Sequence, residues 1–384
     1  MTTLVIGGGI GGLSVARELA LRELPVTVLE RAPRLNPVGA GIIMNPNAMA
    51  VLERNGLAAT LRADAWPYLA RETFDARGRL LAVRDYRPLY ESGKLAAGAL
   101  VHRAHLLETL YGGVPREAVH FGAAARRIAL EADGARVETE DGRVFEADVL
   151  VGADGIHSLL RRELFGEAAP RYLGYRSHRM VVDNGAGVRH FSEFLGRGQR
   201  VGLVPVSESR LYVWTPFNAP QEHPPVFRDL EDFRRVFAQF SDPRVRGALA
   251  APRAAEDIIS TEIEELALER WSRGRAVLLG DAAHAMTPNI GQGAGMAMED
   301  AAVLADELPA AARGAQPIAQ ALAGYDARRR PRVASVVKLS REVGRDGQRS
   351  GRIACWLRNR RVRHAARDTG KALADLERLL SHPL

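Results

Sequence analysis

The opening of the chain constrains its fold more than any other stretch. Thr3-Leu4-Val5-Ile6 reads as a short buried strand, Gly7-Gly8-Gly9-Ile10-Gly11-Gly12 follows at once, and Leu13 to Leu21 continues with helical periodicity. A strand that runs through a glycine turn straight into a helix begins a βαβ unit. Gly7 permits the tight turn, Gly9 lets a pyrophosphate approach the backbone, and Gly12 lets the helix pack closely on the strand. The anion would sit on the helix N-terminus, where free N–H groups and the dipole favour negative charge. A second strand, Val26-Thr27-Val28-Leu29, ends in Glu30, eighteen residues beyond Gly12, where a carboxylate takes ribose hydroxyls. Gly11 and Arg31 are assigned to the same nucleotide contact.

Two later strand ends carry the same punctuation. Asp148-Val149-Leu150-Val151-Gly152-Ala153-Asp154-Gly155 is an apolar strand closing on an acid-glycine turn, and a helix with Ser158 as its cap follows. Ala276-Val277-Leu278-Leu279 closes on Gly280-Asp281, and beyond Pro288 the turn Gly291-Gln292-Gly293-Ala294-Gly295 opens a helix through Met298, Glu299 and Ala302. A plain dehydrogenase needs little beyond the first unit. Two returns to the same neighbourhood suit a longer ligand such as FAD. No second fingerprint follows a strand, since Gly196-Arg197-Gly198 lacks the third glycine, so a nicotinamide donor would have no domain of its own.

This trio resembles the single-component FAD-dependent aromatic hydroxylases, the p-hydroxybenzoate hydroxylase family, over nearly the full chain. The resemblance implies that Asp154 and Gly155 lie beside the FAD pyrophosphate and the passing nicotinamide, and that Asp281 holds the ribityl chain. It further implies that Pro288, Gly291, Gln292, Gly293, Ala294 and Gly295 face the flavin pyrimidine edge. Gly39-Ala40-Gly41-Ile42-Ile43-Met44-Asn45-Pro46-Asn47-Ala48 resembles the loop under the flavin, which makes Gly41 a cofactor residue. Arg103, in Arg103-Ala104-His105-Leu106, resembles the flavin-contacting arginine, whereas His284 fits a structural part of its turn. The implied reaction is ring hydroxylation with NADH or NADPH and O2. FAD reduced by hydride would add oxygen as a C4a-hydroperoxyflavin, and the protein would supply binding, orientation and electrostatics.

Between about 169 and 267 the pattern changes to strands. Arg200 to Val206 and Arg210 to Thr215 flank the Ser207-Glu208-Ser209 turn, with further strands at Arg179 to Val182 and Arg189 to Phe194. This is antiparallel-sheet material that would roof the flavin and form the substrate cavity. The segment through Arg200, Pro205 and Tyr212 is similar to FAD-dependent urate hydroxylases and to 2-alkyl-3-hydroxy-4-quinolone synthases. That likeness makes Arg200 and Tyr212 the candidate catalytic pair, a cationic anchor and an orienting phenol, with Tyr175, His178 and Trp214 as further lining.

The expected architecture is α/β: a Rossmann-type FAD-binding domain (1–70, 98–168 and 268–310), an inserted antiparallel-sheet substrate domain (71–97 and 169–267) and a helical C-terminal region (311–384). A net charge of +7 raises nucleic acid or acidic membrane as partners, but the arginines are scattered through both halves, as a compositional bias leaves them. Arg352 to Arg363, with Ile353, Trp356 and Leu357, reads as a basic helix with a solvated face, the alternative being contact with a membrane. The single cysteine, Cys355, rules out an internal disulfide and a Cys-cluster metal site, and no metal is expected. Without a basic leader or an apolar run of about 18 residues, the chain reads as cytoplasmic, as a monomer or homodimer acting on a small aromatic molecule. Rival readings keep FAD as a reductase or halogenase, or make the chain a basic nucleic-acid- or membrane-binding protein. The halogenase signature fails where Trp214 is followed by Thr215-Pro216.

Overall fold

Thr3–Ile6 is the axis of a six-stranded sheet in the computed structural model, which describes residues 1–35, 40–131, 133–221 and 227–381. It pairs in parallel with Val149–Gly152 on one side and Val26–Glu30 on the other. Ala276–Leu278 extends the parallel array beyond the first neighbour, Val119–Phe121 beyond the second, and Ser272–Arg273 adds an antiparallel edge. The three glycine- and acid-punctuated strand ends therefore lie side by side and open in one direction, at the carboxyl edge where such sheets bind ligands. The strands are apolar throughout because helices cover the sheet; Ile10–Ala20 and Gly293–Ala312 pack against one another there.

A second sheet has seven strands, in the order Ile259–Glu265, Arg171–Asp183, Arg210–Asn218, Arg200–Pro205, Phe191–Leu195, Ala70–Asp75 and Leu80–Asp85. It departs from the purely antiparallel expectation at one place. Phe191–Leu195 and Ala70–Asp75 run parallel, because the earlier segment joins the edge in the same direction. Strand alternation divides the sheet into two faces. Phe74, Phe194, Val201, Leu203, Val213, Phe217 and Met180 point to the outer face, where Phe233, Phe237 and Phe240 cover them. Their inner-face neighbours are Arg71, Glu193, Arg200, Tyr212, Trp214 and Arg179.

A small sheet of Gly41–Met44, Ala99–His102 and Trp66–Pro67 bridges the two large ones. The helix Ile318–Gly347 packs along Gly293–Ala312, and Arg352–Ala365 and Thr369–Leu380 follow it. The last of these sets Leu376 and Leu380 among Tyr68, Tyr86, Phe191, Val204 and Trp214 at the inner face. Among the described residues no helix is long and apolar enough to cross a membrane.

Candidate functional site

At the end of the first strand Gly7 has φ +105°, a conformation costly for any side chain, and a Cβ there would overlap the Ala153 carbonyl. The first and second punctuated ends thus touch. A Cβ on Gly9 would meet nothing within 4 Å. The helix starts there without a side-chain cap, so its first-turn N–H groups face that open side. Gly12 has no room for a side chain against the Gly7 carbonyl, and Gly11 is filled by Leu279, so both serve helix packing. Glu30 accepts from the N–H of Gly8 (2.7 Å) and of Ala32 (2.8 Å), which fixes its carboxylate at the lip of the loop; Arg31 is exposed.

Asp154 accepts the Leu159 N–H at 2.7 Å, which ties it to the start of the helix Leu159–Phe165. Its other oxygen, Oδ1, is buried without a partner in the protein. Gly155 (φ +78°) borders open space, and Ser158 caps the helix through the Arg161 N–H at 3.0 Å. Asp281 begins the short helix Asp281–His284 with an exposed side chain at the carboxyl edge of the sheet. The protein crowded around its carboxyl holds it above the usual range against the pull of His284, Arg103 and Arg179. Arg103 opens the helix Arg103–Gly112; burial lowers its guanidinium and the field of Asp281 opposes that.

The third strand end continues into a turn at Pro288–Ile290, then Gly291 at φ +64°, whose carbonyl accepts from Asn45 Nδ2 at 2.8 Å. Gln292 caps nothing with its side chain; it exchanges two amide hydrogen bonds with Asn47, at 2.9 and 3.1 Å. Gly293 borders open space, Ala294 is in the first turn of the following helix, and a Cβ on Gly295 would come 2.9 Å from Asn47 Nδ2. Behind this loop Arg329 donates to Glu299 (2.6 Å) and Asp300 (2.7 Å), and Asp300 also pairs with His284 Nε2 at 2.6 Å. Against the effect of its burial, His284 and Arg329 hold the Asp300 carboxyl down at about 2. His284 is therefore part of the scaffold.

On the inner face of the seven-stranded sheet Arg200 is 1% exposed. Nε donates to Gln348 Oε1 (3.0 Å), Nη1 to Glu193 (3.2 Å) and Nη2 to Asn289 Oδ1, and the guanidinium lies 5.1 Å from the Trp214 ring. Glu193 is shared with Arg71, so two cations and one anion leave the cluster with a net positive charge. Asn289 also donates to Tyr175 Oη at 3.0 Å, which joins the sheet to the 288–291 turn. Tyr212 is half-buried, its phenol raised by burial and lowered by Arg179, and its hydroxyl has no hydrogen-bond partner among the described residues. Gly41 abuts the Tyr212 ring so closely that a Cβ would overlap it. Gly39 lies outside the described residues.

His178 is a correction. It belongs to the outer face, ringed by Phe217, Phe227, Phe233 and Phe237, with Nδ1 2.7 Å from Ser260 Oγ. Period-2 alternation sends it away from the space that Tyr175 and Trp214 border. Sequence reasoning missed Arg71, Glu193, Asn289, Asn47 and Arg329. Of these only Glu193 leaves a local signal, a charge inside the strand pattern of Phe191-Ser192-Glu193-Phe194.

The residues at the carboxyl edge fit FAD on three observations. Gly9, Gly155 and Gly293 present backbone to open space, two helices begin there without side-chain caps, and the buried Oδ1 of Asp154 lacks a partner in the protein. Fold and site together define a flavin-holding enzyme of mixed α/β build. The family model described as "FAD binding domain" matches residues 1–340. Aurachin C monooxygenase/isomerase of Stigmatella aurantiaca is 36% identical over 96% of this chain and 95% of its own length. The 2-heptyl-3-hydroxy-4(1H)-quinolone synthase of Pseudomonas aeruginosa is 34% identical over 94% of each chain. The crystal structure of Klebsiella pneumoniae HpxO complexed with FAD and uric acid superposes with a TM-score of 0.89 at 30% identity, covering 100% of this chain and 97% of that one. The chain belongs to the FAD-binding-domain family and is an FAD-dependent monooxygenase.

Proposed function

We propose that this monooxygenase uses NADH or NADPH and O2 to hydroxylate an electron-rich aromatic or N-heteroaromatic ring, and that its substrate is a quinolone-type ring carrying an apolar substituent. One observation carries the choice over a purine or a benzoate. Tyr68, Tyr86, Leu100, Phe191, Val204 and Trp214 form a buried apolar cluster at the inner face, with Leu376 and Leu380 packed among them. A site bordered by such a cluster rewards apolar surface on its substrate. The relative named as a 2-heptyl-3-hydroxy-4(1H)-quinolone synthase agrees with that reading.

In this reading residues 1–70, 98–168 and 268–310 hold FAD, 71–97 and 169–267 hold the substrate, and 311–384 closes the cavity. The loop of Gly7 to Gly12 takes the pyrophosphate, with Asp154 and Gly155 beside it, and Glu30 and Arg31 take the adenosine end. Asp281 and Arg103 flank the ribityl chain and ring, while Gly41 and the 288–295 turn support the flavin. FAD supplies oxygen activation once reduced. The helix starting at Gly293 stabilises the negative charge of the reduced ring. The net positive Arg71–Glu193–Arg200 cluster favours the ionised, electron-rich form of the substrate, and the Tyr212 hydroxyl orients it or relays its proton. The apolar closure keeps water from the reacting centre.

The test is the visible spectrum of purified protein, then NADH and NADPH oxidation with 2-alkyl-4-quinolones, urate and hydroxybenzoates. Faster oxidation with a 2-alkylquinolone and a product one oxygen atom heavier is the expected result. Turnover without oxygen in the product identifies a reductase, and urate as the accelerating compound reverses the choice of ring.

A further inference from the structure

We propose that the helix Arg352–Ala365 is a docking face for anionic lipid bilayers. Ile353 (76% exposed), Trp356 (58%) and Leu357 (44%) occupy positions i, i+3 and i+4, so they form one apolar crest turned to solvent. From 345 to 367 the chain carries eight arginines (345, 349, 352, 358, 360, 361, 363 and 367) against one acid, Asp346. Arg349 and Arg361 share that aspartate. Arg345, Arg352, Arg360 and Arg363 are exposed and have no carboxylate partner among the described residues, and Arg360 lies 5.6 Å from the Trp356 ring.

The crest has no task inside the fold. The opposite side of the helix holds it in place: buried Arg358 donates to the carbonyls of Gly347 (3.1 Å) and Gly196 (2.9 Å). Cys355 Sγ reaches the Arg349 carbonyl at 3.1 Å. A pinned helix that turns a Trp-containing crest outward between arginines has the chemistry of an interfacial helix, whose apolar side chains enter the acyl boundary while the cations meet anionic headgroups. Exposed Leu80 and Val83 on the edge strand against which this helix packs add apolar surface nearby. A second copy of the chain is a poorer occupant, because a two-fold contact would set the arginines against their own kind. Nucleic acid would engage the arginines and leave the crest in water.

The experiment uses the FAD-loaded full chain, sedimented with phosphatidylcholine vesicles and with vesicles rich in phosphatidylglycerol, at low and high salt. It should sediment with the anionic vesicles, release at high salt and show a blue shift of tryptophan emission. Trp356→Phe should keep sedimentation and lose the shift. Ile353→Ser combined with Trp356→Ser should weaken sedimentation by about tenfold or more, flavin content and melting temperature unchanged. The proposal is overturned by absence of sedimentation at low salt, by equal binding to neutral vesicles, or by full binding of the double variant. A dimer abolished by Trp356→Ser without vesicle binding would assign the crest to a second copy, and salt-sensitive retention on duplex DNA alone would assign the arginines to nucleic acid. None of these outcomes depends on which ring the enzyme hydroxylates.

Discussion

The two faces of the seven-stranded sheet are built from the same strands, one residue out of step, and they do opposite things. The outer face stacks Phe74 on Phe194 at 4.9 Å and buries both beneath a helical phenylalanine cluster. The inner face buries Glu193 and Arg200 almost as deeply, with Arg71 half-buried beside them, and there each charge must be answered by a partner. Burial stabilises the first face through lost apolar surface and burdens the second with desolvation. One sheet therefore separates apolar packing from paired charge by parity alone.

That division can be broken from either side. Phe194→Ala should cost about 4 kcal/mol in urea unfolding while the purified, folded fraction keeps its flavin and its turnover. Glu193→Gln should cost about 3 kcal/mol by leaving buried Arg200 and half-buried Arg71 without their shared anion. Replacing Arg71 and Arg200 by Met together with Glu193→Leu should recover most of that stability and abolish substrate-stimulated NAD(P)H oxidation. If the triple variant turns over normally, the inner face has no chemical role.

His178 tests the outer face by pH. Burial pushes its imidazole down to about 4, so the folded state resists the protonation that the unfolded chain accepts near 6.5. Its neutral form contributes stability that is complete above about 6.5 and is lost as the pH falls towards 4, about 3 kcal/mol in all. His178→Phe should flatten stability against pH across that window. The smallest effect is expected at Tyr212→Phe, a loss of about tenfold in kcat, or about 1.4 kcal/mol, with melting unchanged; an unchanged kcat would place the phenol outside the reaction.

What could be read from the chain follows from how far each signal reaches. Gly7 and Gly12 were legible because a positive φ and a helix packed on its strand are local demands that only glycine meets. The strands were legible, but which parity faced the cavity was not, and His178 fell on the wrong side for that reason. Gln292 sits in a recognisable turn, yet its side chain is taken by Asn47, 245 positions away. Arg329 looks like a surface residue in Asp326-Ala327-Arg328-Arg329-Arg330, and only the fold brings Glu299 and Asp300 to it.

The contact between Gly41 and Tyr212 constrains how this enzyme can diversify. A Cβ at 41 would strike the Cβ of residue 212 before it met the ring, so trimming the tyrosine to alanine frees nothing. Position 41 stays locked as glycine for as long as any side chain stands at 212. Lineages that exchange the phenol for another side chain inherit that lock, and change near this contact has to be written at 212 alone.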